Sequence, residues 1–224
     1  MKKKSLITMV LSLALVAVIG TGATLAFLSA QSNAVTNTFT VGSGYDDKEN
    51  GLYVDEHKID ENNKATSELT REKNEYSKIL PGDKLAKDPT VHFTKGPDSY
   101  IFVNVTGMSE AKVTGTENAL FTYLESKLGQ GFDKGAWEKA DGKPTINGVY
   151  VYKVNDSYKV AAGTDLAPLF TGVELNKNVT EAQFNTLKST AQGISAITIQ
   201  SAAVQFDNVK DKAEAYNLVK DLFK

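Results

Sequence analysis

Short apolar stretches bounded by turn signals dominate the pattern of hydrophobic and polar positions after residue 80. Their β-branched and aromatic side chains favour strands. Residues 149–154 are apolar on both faces, which is typical of a strand in the middle of a sheet. The predicted strands are residues 36–41, 89–93, 99–105, 149–154 and 194–206, with further strand regions at Trp137 and around Leu169 and Phe170.

Three helices are predicted between and after these strands. A leucine at every fourth position predicts a helix over residues 116–128. Thr180 and Gln183 have the spacing of a capping box and predict a short helix that reaches about Lys188. Residues 211–223 carry an apolar stripe and predict a closing helix. Strands and helices do not alternate, so the pattern predicts a mainly β protein, an antiparallel β-sandwich in which two or three short helices are insertions or lie at the C-terminus.

A polar segment interrupts the apolar pattern over residues 45–79, with charged runs around one apolar island at residues 51–54. This composition predicts one short strand and otherwise loop. Leu80-Pro81-Gly82-Asp83 follows as a turn signal. We therefore predict a β-sandwich domain over residues 45–224 that contains a polar insertion at about 45–79.

The first 45 residues differ in kind from the rest. Three lysines at positions 2–4 precede an apolar run over residues 6–20 and then small residues, and no further charge occurs before Asp46. This order is typical of a secretory signal peptide over residues 1–26. Small side chains at Thr24 and Ala26 suit a peptidase that cuts before Phe27. The alternative is an uncleaved anchor, since residues 6–28 could span a bilayer of ~30 Å.

Composition and charge narrow the classes of function. The chain has no Cys, two His and a formal charge of −2, which excludes thiol catalysis and gives no cationic field for nucleic acid. Removal of the leader takes three of the 25 Lys and Arg, leaving 22 against 27 acidic residues and a charge of −5. The mature chain is therefore expected to be acidic, exported and without a cofactor.

Residues 27–44 are predicted to be an N-terminal extended segment followed by the first strand. Val35, Asn37, Phe39 and Val41 alternate and share one face of that strand. Two interpretations stay open for residues 37–41: the first strand of the chain's own sandwich, or a donor strand that pairs with an exposed edge of another molecule. Residues 27–35 are expected to be flexible or intermolecular, because nothing in them marks a turn.

Candidate metal ligands are few. The sequence has no His-Glu-x-x-His motif, and a zinc site would need His57 and His92, 35 residues apart, with Asp55 or Glu56. The favoured interpretation is a solvated loop histidine and a strand-surface histidine, with no catalytic, metal or cofactor site. The chain is accordingly not expected to be an enzyme.

Aromatic residues could form a platform for a sugar ring. The candidates are Trp137, Tyr150, Tyr152 and Phe170. Burial of a central strand on both of its faces explains these side chains better, because large aromatic residues mostly fill cores. A carbohydrate site is therefore the less favoured interpretation.

Several segments together resemble the exported TasA/camelysin-type proteins of Gram-positive bacteria. The signal junction at residues 26–29, residues 37–42, Pro81-Gly82-Asp83, the KDPTV segment at residues 87–91 and the aromatic strand from residue 98 occur in the family's order. The resemblance implies a jelly-roll-like sandwich, cleavage by a signal peptidase of the SipW type and secretion to the medium or cell surface.

The same resemblance implies a function. It predicts a structural protein of the cell surface or biofilm matrix that forms homopolymeric fibres by N-terminal strand exchange. Other matrix or surface proteins are the further expected partners, and contact with a membrane is expected only through an uncleaved signal segment. The alternatives are a cell-surface metalloprotease, a label that camelysin-type relatives carry, and a module that binds carbohydrate or a host surface.

Overall fold

The computed structural model describes residues 29–32, 51–108, 120–129, 135–143, 145–183, 185 and 197–223. Twelve strands, a C-terminal helix and a final 3-10 turn form within these ranges, and residues 181–183 are also helical. The elements are β1 (Ser29–Ser32), β2 (Leu52–Ile59), β3 (Ala65–Thr70), β4 (Lys84–Ala86), β5 (Thr90–Phe93), β6 (Ser99–Thr106), β7 (Phe121–Leu124), β8 (Trp137–Lys139), β9 (Gly148–Tyr152), β10 (Thr164–Asp165), β11 (Gly172–Leu175), β12 (Thr198–Gln205), α1 (Lys212–Val219) and the 3-10 turn Lys220–Phe223.

The strands form three sheets. The largest has the order β1-β12-β6-β9-β8, the second β10-β5-β2-β3 and the third β4-β11-β7. All pairings between these strands are antiparallel. The predicted mainly β, antiparallel class is therefore confirmed.

Strand β6 is the centre of the molecule because both of its faces are buried. Ile101, Val103 and Val105 pack into the main core, which the second and third sheets cover from the opposite side. Tyr100 and Phe102 face the other way, toward a smaller cluster under α1. Each fully buried side chain of this size contributes about 1.5–3 kcal/mol. The alternation predicted for residues 99–105 is thus confirmed.

Helix α1 covers the outer face of the largest sheet. Ala215 and Val219 are its fully buried residues and pack against the smaller cluster. Asp211 is the N-cap, and its side chain accepts the N–H of Glu214 at 2.9 Å. The cap satisfies an N–H that has no partner inside the helix, so the helix starts where the sequence predicts.

The helix predicted over residues 116–128 is wrong in its described part, residues 120–128. Phe121–Leu124 is strand β7, which pairs with β11 from Phe121↔Leu175 to Leu124↔Gly172. Glu125 then has φ +44°, which interrupts any right-handed helix. Residues four positions apart share one face of a strand as well as of a helix, so the leucine spacing fits both. Pairing with β11 favours the strand and buries Leu120 and Phe121.

The polar segment contains more strand than the sequence predicts. Within residues 51–79, β2 and β3 form a hairpin, closed by a turn in which Asn63 has φ +60°. The expectation of one short strand followed by loop is therefore wrong. The predicted strand around Leu169 and Phe170 is also displaced, because the observed strand β11 begins only at Gly172. Leu169 and Phe170 are fully buried in the segment before it.

The N-terminal predictions are only partly within the described residues. The cleavage residues Thr24, Ala26 and Phe27 and the predicted donor face of Val35, Asn37, Phe39 and Val41 lie outside them. Ser29–Ser32 forms β1, which pairs with β12 of the same chain from Ser29↔Val204 to Ser32↔Ser201. This intramolecular pairing differs from the expectation of a flexible or intermolecular segment there. No helix in the described part of the chain is long and apolar enough to cross a membrane.

Candidate functional site

A cleft of about 710 Å³ lies between strands β2 and β12. Residues 54–56 of β2 line one side, residues 197–200 line the other, and residues 70–74 line it as well. Successive side chains of a strand point to opposite faces of the sheet. A cavity that contacts several consecutive residues of a strand therefore lies beside the edge of that strand and not over one face. The cleft is therefore a slot between two strand edges, and we call it the slot.

The pairing pattern explains why these edges border a slot. Strand β12 pairs with β6 along its whole length, from Thr198 to Gln205, but β1 covers its other edge only from Ser201 to Val204. Strand β2 pairs with β5 over residues 52–55 and with β3 from Glu56 onward. Among the described strands, none pairs with the outer edge of β12 at residues 198–200. Main-chain N–H and C=O groups at such an edge can bind an added strand.

The inner wall of the slot is mostly apolar. Its apolar side chains come from β2, β4, β7, β11, the loop before β4 and the segment that leads into β12, and they belong to the main core or pack against it. These residues are Val54, Ile79, Leu85, Phe121, Val173, Ile197 and Ile199. An extended segment with small or apolar inward side chains would gain about 25 cal/mol for each Å² of apolar surface that it buries here.

One polar group interrupts this wall, and we call Glu56, Lys87 and Asn74 the polar pole. The Nζ atom of Lys87 lies 2.9 Å from Glu56 Oε2 and 3.2 Å from Oε1. Asn74 Nδ2 donates to Glu56 Oε1 at 3.0 Å and to the carbonyl of His57 at 2.9 Å. The side chains of Lys87 and Glu56 are only 10% and 11% exposed, so the pair is largely desolvated. Removing one partner would leave a buried charge uncompensated.

Hydrogen bonds between side chains and the main chain hold the loop of residues 71–79 beside the slot. Asn74 Oδ1 accepts the N–H of Ile59 at 3.2 Å, and the hydroxyl of Tyr76 donates to the carbonyl of Ala86 at 2.5 Å. Burial and then the nearby Glu56 and Asp88 carboxylates raise the pKa of Tyr76 far above its usual range. The phenol therefore keeps the proton with which it fixes residues 71–79 to strand β4.

The structure places the candidate metal ligands in separate pairs. His57 Nδ1 lies 2.5 Å from Asp88 Oδ2, and His92 Nε2 lies 2.9 Å from Asp55 Oδ1. Glu56 is bound to Lys87 instead. Within the described ranges, no group of three or more His, Asp and Glu residues could hold a metal ion. Both histidines are on strands, so the prediction of a loop position for His57 is wrong.

The sequence did not mark Lys87, Asn74 or Asp88 as functional residues of this region; Asp88 binds His57. One carboxylate oxygen accepts the main-chain N–H of His57 at 3.0 Å and the other contacts its ring. The two residues are 31 positions apart. The only sequence signal is the position of Asp88 before Pro89, at the start of a predicted strand.

The aromatic candidates fill the core. Trp137, Tyr150 and Phe170 are fully buried, and Tyr152 is 7% exposed. The indole N–H of Trp137 donates to the carbonyl of Ala167 at 2.9 Å, and the ring meets Tyr152 edge-on at 4.8 Å. These contacts confirm the core interpretation over a sugar platform formed by these residues.

No protein-family model, curated protein or solved structure matches this chain.

Proposed function

We propose that this chain is a secreted structural protein of the cell surface or biofilm matrix, of the TasA/camelysin type, that polymerises by strand exchange. In each contact, the N-terminal segment of one subunit lies along β12 of the next and continues into its slot. A signal peptidase of the SipW type would release that segment during export. The observation that carries this proposal is the slot between two strand edges.

The position of β1 supports the same mechanism. Its pairing along β12 ends at Ser32↔Ser201, and the slot begins at the next residue of β12, Gln200. A strand that follows this path would therefore run directly into the slot. There it would join the edge of β12 to that of β2, and so link the five-stranded and four-stranded sheets into the jelly-roll-like closure that the resemblance implies.

The energetics favour an apolar, charge-free strand. Each main-chain hydrogen bond contributes about 0.5–1.5 kcal/mol net, because water competes for the same groups. A charged side chain would lose its hydration in the apolar part of the slot. Residues 27–45 carry no charge, which fits this requirement.

Engineered cysteines test strand exchange cleanly because the native chain has none. Ser32 and Ser201 are paired positions, so one batch of residues 27–224 would carry Ser32→Cys and a second Ser201→Cys. After the batches are mixed and assembled, we expect an interchain disulfide and fibres by negative-stain electron microscopy. Ser32→Cys mixed with Ser67→Cys is the control, since Ser67 lies on the exposed part of β3 and should not cross-link.

Truncation and a slot variant complete the test. Deletion of residues 27–36 should abolish fibres, and Ile199→Glu should do so by placing a charge in the slot. Leu80→Glu is the matched control, because Leu80 is 65% exposed and does not line the slot. Thermal unfolding would show that each variant folds. Unchanged polymerisation of the truncated chain, or fibres without the 32–201 cross-link, would refute strand exchange.

A further inference from the structure

We propose that the polar pole sets the register of the incoming strand by binding the hydroxyl group of Thr36 from a second copy of this chain. This inference rests on the proposed function. It departs from the sequence-based expectation that Val35, Asn37, Phe39 and Val41 form the inserted face.

The register of β1 defines which positions would enter the slot. Its pairs run from Ser29↔Val204 to Ser32↔Ser201, one residue at a time. A strand from another subunit that keeps this register places residue 34 opposite Ile199 and residue 36 opposite Ile197. Directly opposed residues of an antiparallel pair share one face of the sheet. Residues 34 and 36 of that strand would therefore face the same way as Ile199 and Ile197.

That face is also the face of the polar pole. Ile197, Ile199 and Val54 all pack against the main core. Glu56 is two residues beyond Val54 on β2, so its side chain lies on the same side. The inward positions of the incoming strand, rather than the outward ones, are consequently those that can reach Glu56 and Lys87.

The pole has hydrogen-bonding capacity that suits a hydroxyl group. An ammonium group has three donors, and both contacts that the structure gives Lys87 Nζ go to the single carboxylate of Glu56. Within the described residues, Glu56 Oε1 accepts from Lys87 and Asn74, whereas Oε2 accepts from Lys87 alone. A hydroxyl group both donates and accepts, so it can bind Lys87 Nζ and Glu56 Oε2 together.

The sequence of the incoming strand fits this pattern. Of the two inward positions opposite the slot, residue 34 is Ala and residue 36 is Thr. A shift by two residues in one direction would place Ala34 at the pole and leave the remaining hydrogen-bonding capacity of Lys87 Nζ and Glu56 Oε2 unused in a site from which water is displaced. A shift by two residues in the other direction would place Thr38 there, which also carries a hydroxyl group. A shift by one residue would turn Val35 and Asn37 inward. The pole therefore disfavours the registers that bring Ala34, Val35 or Asn37 to it, and the register of β1 favours Thr36 over Thr38.

The test uses residues 27–224 and measures the critical concentration for assembly by sedimentation. Thr36→Val keeps the shape of the side chain and removes the hydroxyl group, so we expect the critical concentration to rise about tenfold, equivalent to 1.4 kcal/mol. Asn37→Ser, at an outward position, is the control and should leave it within about twofold. In a chain that also carries Glu56→Leu and Lys87→Met, Thr36→Val should no longer raise the critical concentration, because the pole and the side chain at position 36 are then both apolar.

The outcomes separate this inference from the proposed function. A raised critical concentration for Asn37→Ser together with an unchanged one for Thr36→Val would overturn the proposed register. A positive 32–201 cross-link in the same material would leave strand exchange intact. An unchanged critical concentration for Thr36→Val would also overturn the inference. Absence of fibres in the unmodified chain, together with absence of the 32–201 cross-link between the mixed cysteine variants, would instead remove the proposed function itself. Thermal unfolding of the Glu56→Leu, Lys87→Met chain shows whether its sandwich is intact.

Discussion

A polar contact at its first residue, Lys212, ties helix α1 to the largest sheet. The ammonium group of Lys212 binds the carboxylate of Glu138 on β8 and lies 3.3 Å from the hydroxyl of Tyr158. That hydroxyl donates to Glu138 Oε2 at 2.9 Å. The side chains of Glu138 and Lys212 are 26% and 29% exposed, so solvent screens the contact only in part. We expect this contact to make a measurable contribution to docking of the helix.

The size of the contribution follows from the geometry. A hydrogen bond to a charged group contributes about 1.5–3 kcal/mol, and partial exposure reduces this toward about 1 kcal/mol. The expected coupling between Glu138→Gln and Lys212→Met is therefore about 1 kcal/mol at pH 7. Urea unfolding of both single variants and the double variant measures it. Lys73 and Glu75, whose side chains are 82% and 76% exposed, form the control pair and should show no measurable coupling.

The contact should depend on pH with a definite sign. Partial burial opposes ionisation of Glu138, but hydrogen bonds from Lys212 and Tyr158 outweigh it and lower its pKa. Because the folded pKa lies below the unfolded value of about 4.5, the stabilisation is present above that value and disappears as pH falls through the folded pKa. Coupling that is absent at pH 7, or that persists once Glu138 is protonated, would refute the reasoning.

Two further substitutions test the core and a constrained turn. Trp137→Phe removes the hydrogen bond to Ala167 and leaves a void, so we expect a loss of about 2–4 kcal/mol in the free energy of unfolding by urea titration; a loss below 1 kcal/mol would contradict the assignment of Trp137 to the core. Gly148→Ala should destabilise more than Gly142→Ala, although both glycines have positive φ, because a Cβ at 148 would overlap Asp141 Oδ2 whereas nothing lies within 4 Å of one at 142. We expect about 1–2 kcal/mol for Gly142→Ala, and equal melting temperatures for the two variants would show that the overlap is relieved.

Strong local patterns predicted the centre of the fold correctly. Strands β6, β9 and β12 lie where their apolar alternation or two-sided hydrophobicity placed them, since both faces of the central strands are buried. The beginning of the closing helix next to residue 211 and the capping box of Thr180 and Gln183 are also observed. These features depend on residues a few positions apart, and a sequence displays such relations directly.

The features that the sequence did not predict depend on contacts between residues far apart in the chain. Strand β2 carries a run of charged residues that is typical of a loop, but Lys87 and Asp88 satisfy Glu56 and His57 from 31 positions away. The slot itself lies between residues 54–56 and 197–200. No local pattern indicates that two segments so far apart will border one cleft, because their meeting depends on the packing of three sheets.

Strand β1 has a kinetic consequence. It has four residues and a single neighbour within its sheet, β12, whereas β12 itself is bound by β6 over eight pairs. Short edge elements of this kind open locally at far lower free energy than the core. The strand exchange proposed above would have to begin with that opening, which is a unimolecular event. If the chain polymerises in this way, the rate of fibre growth should reach a plateau at high protein concentration, set by how often a subunit releases its own first strand.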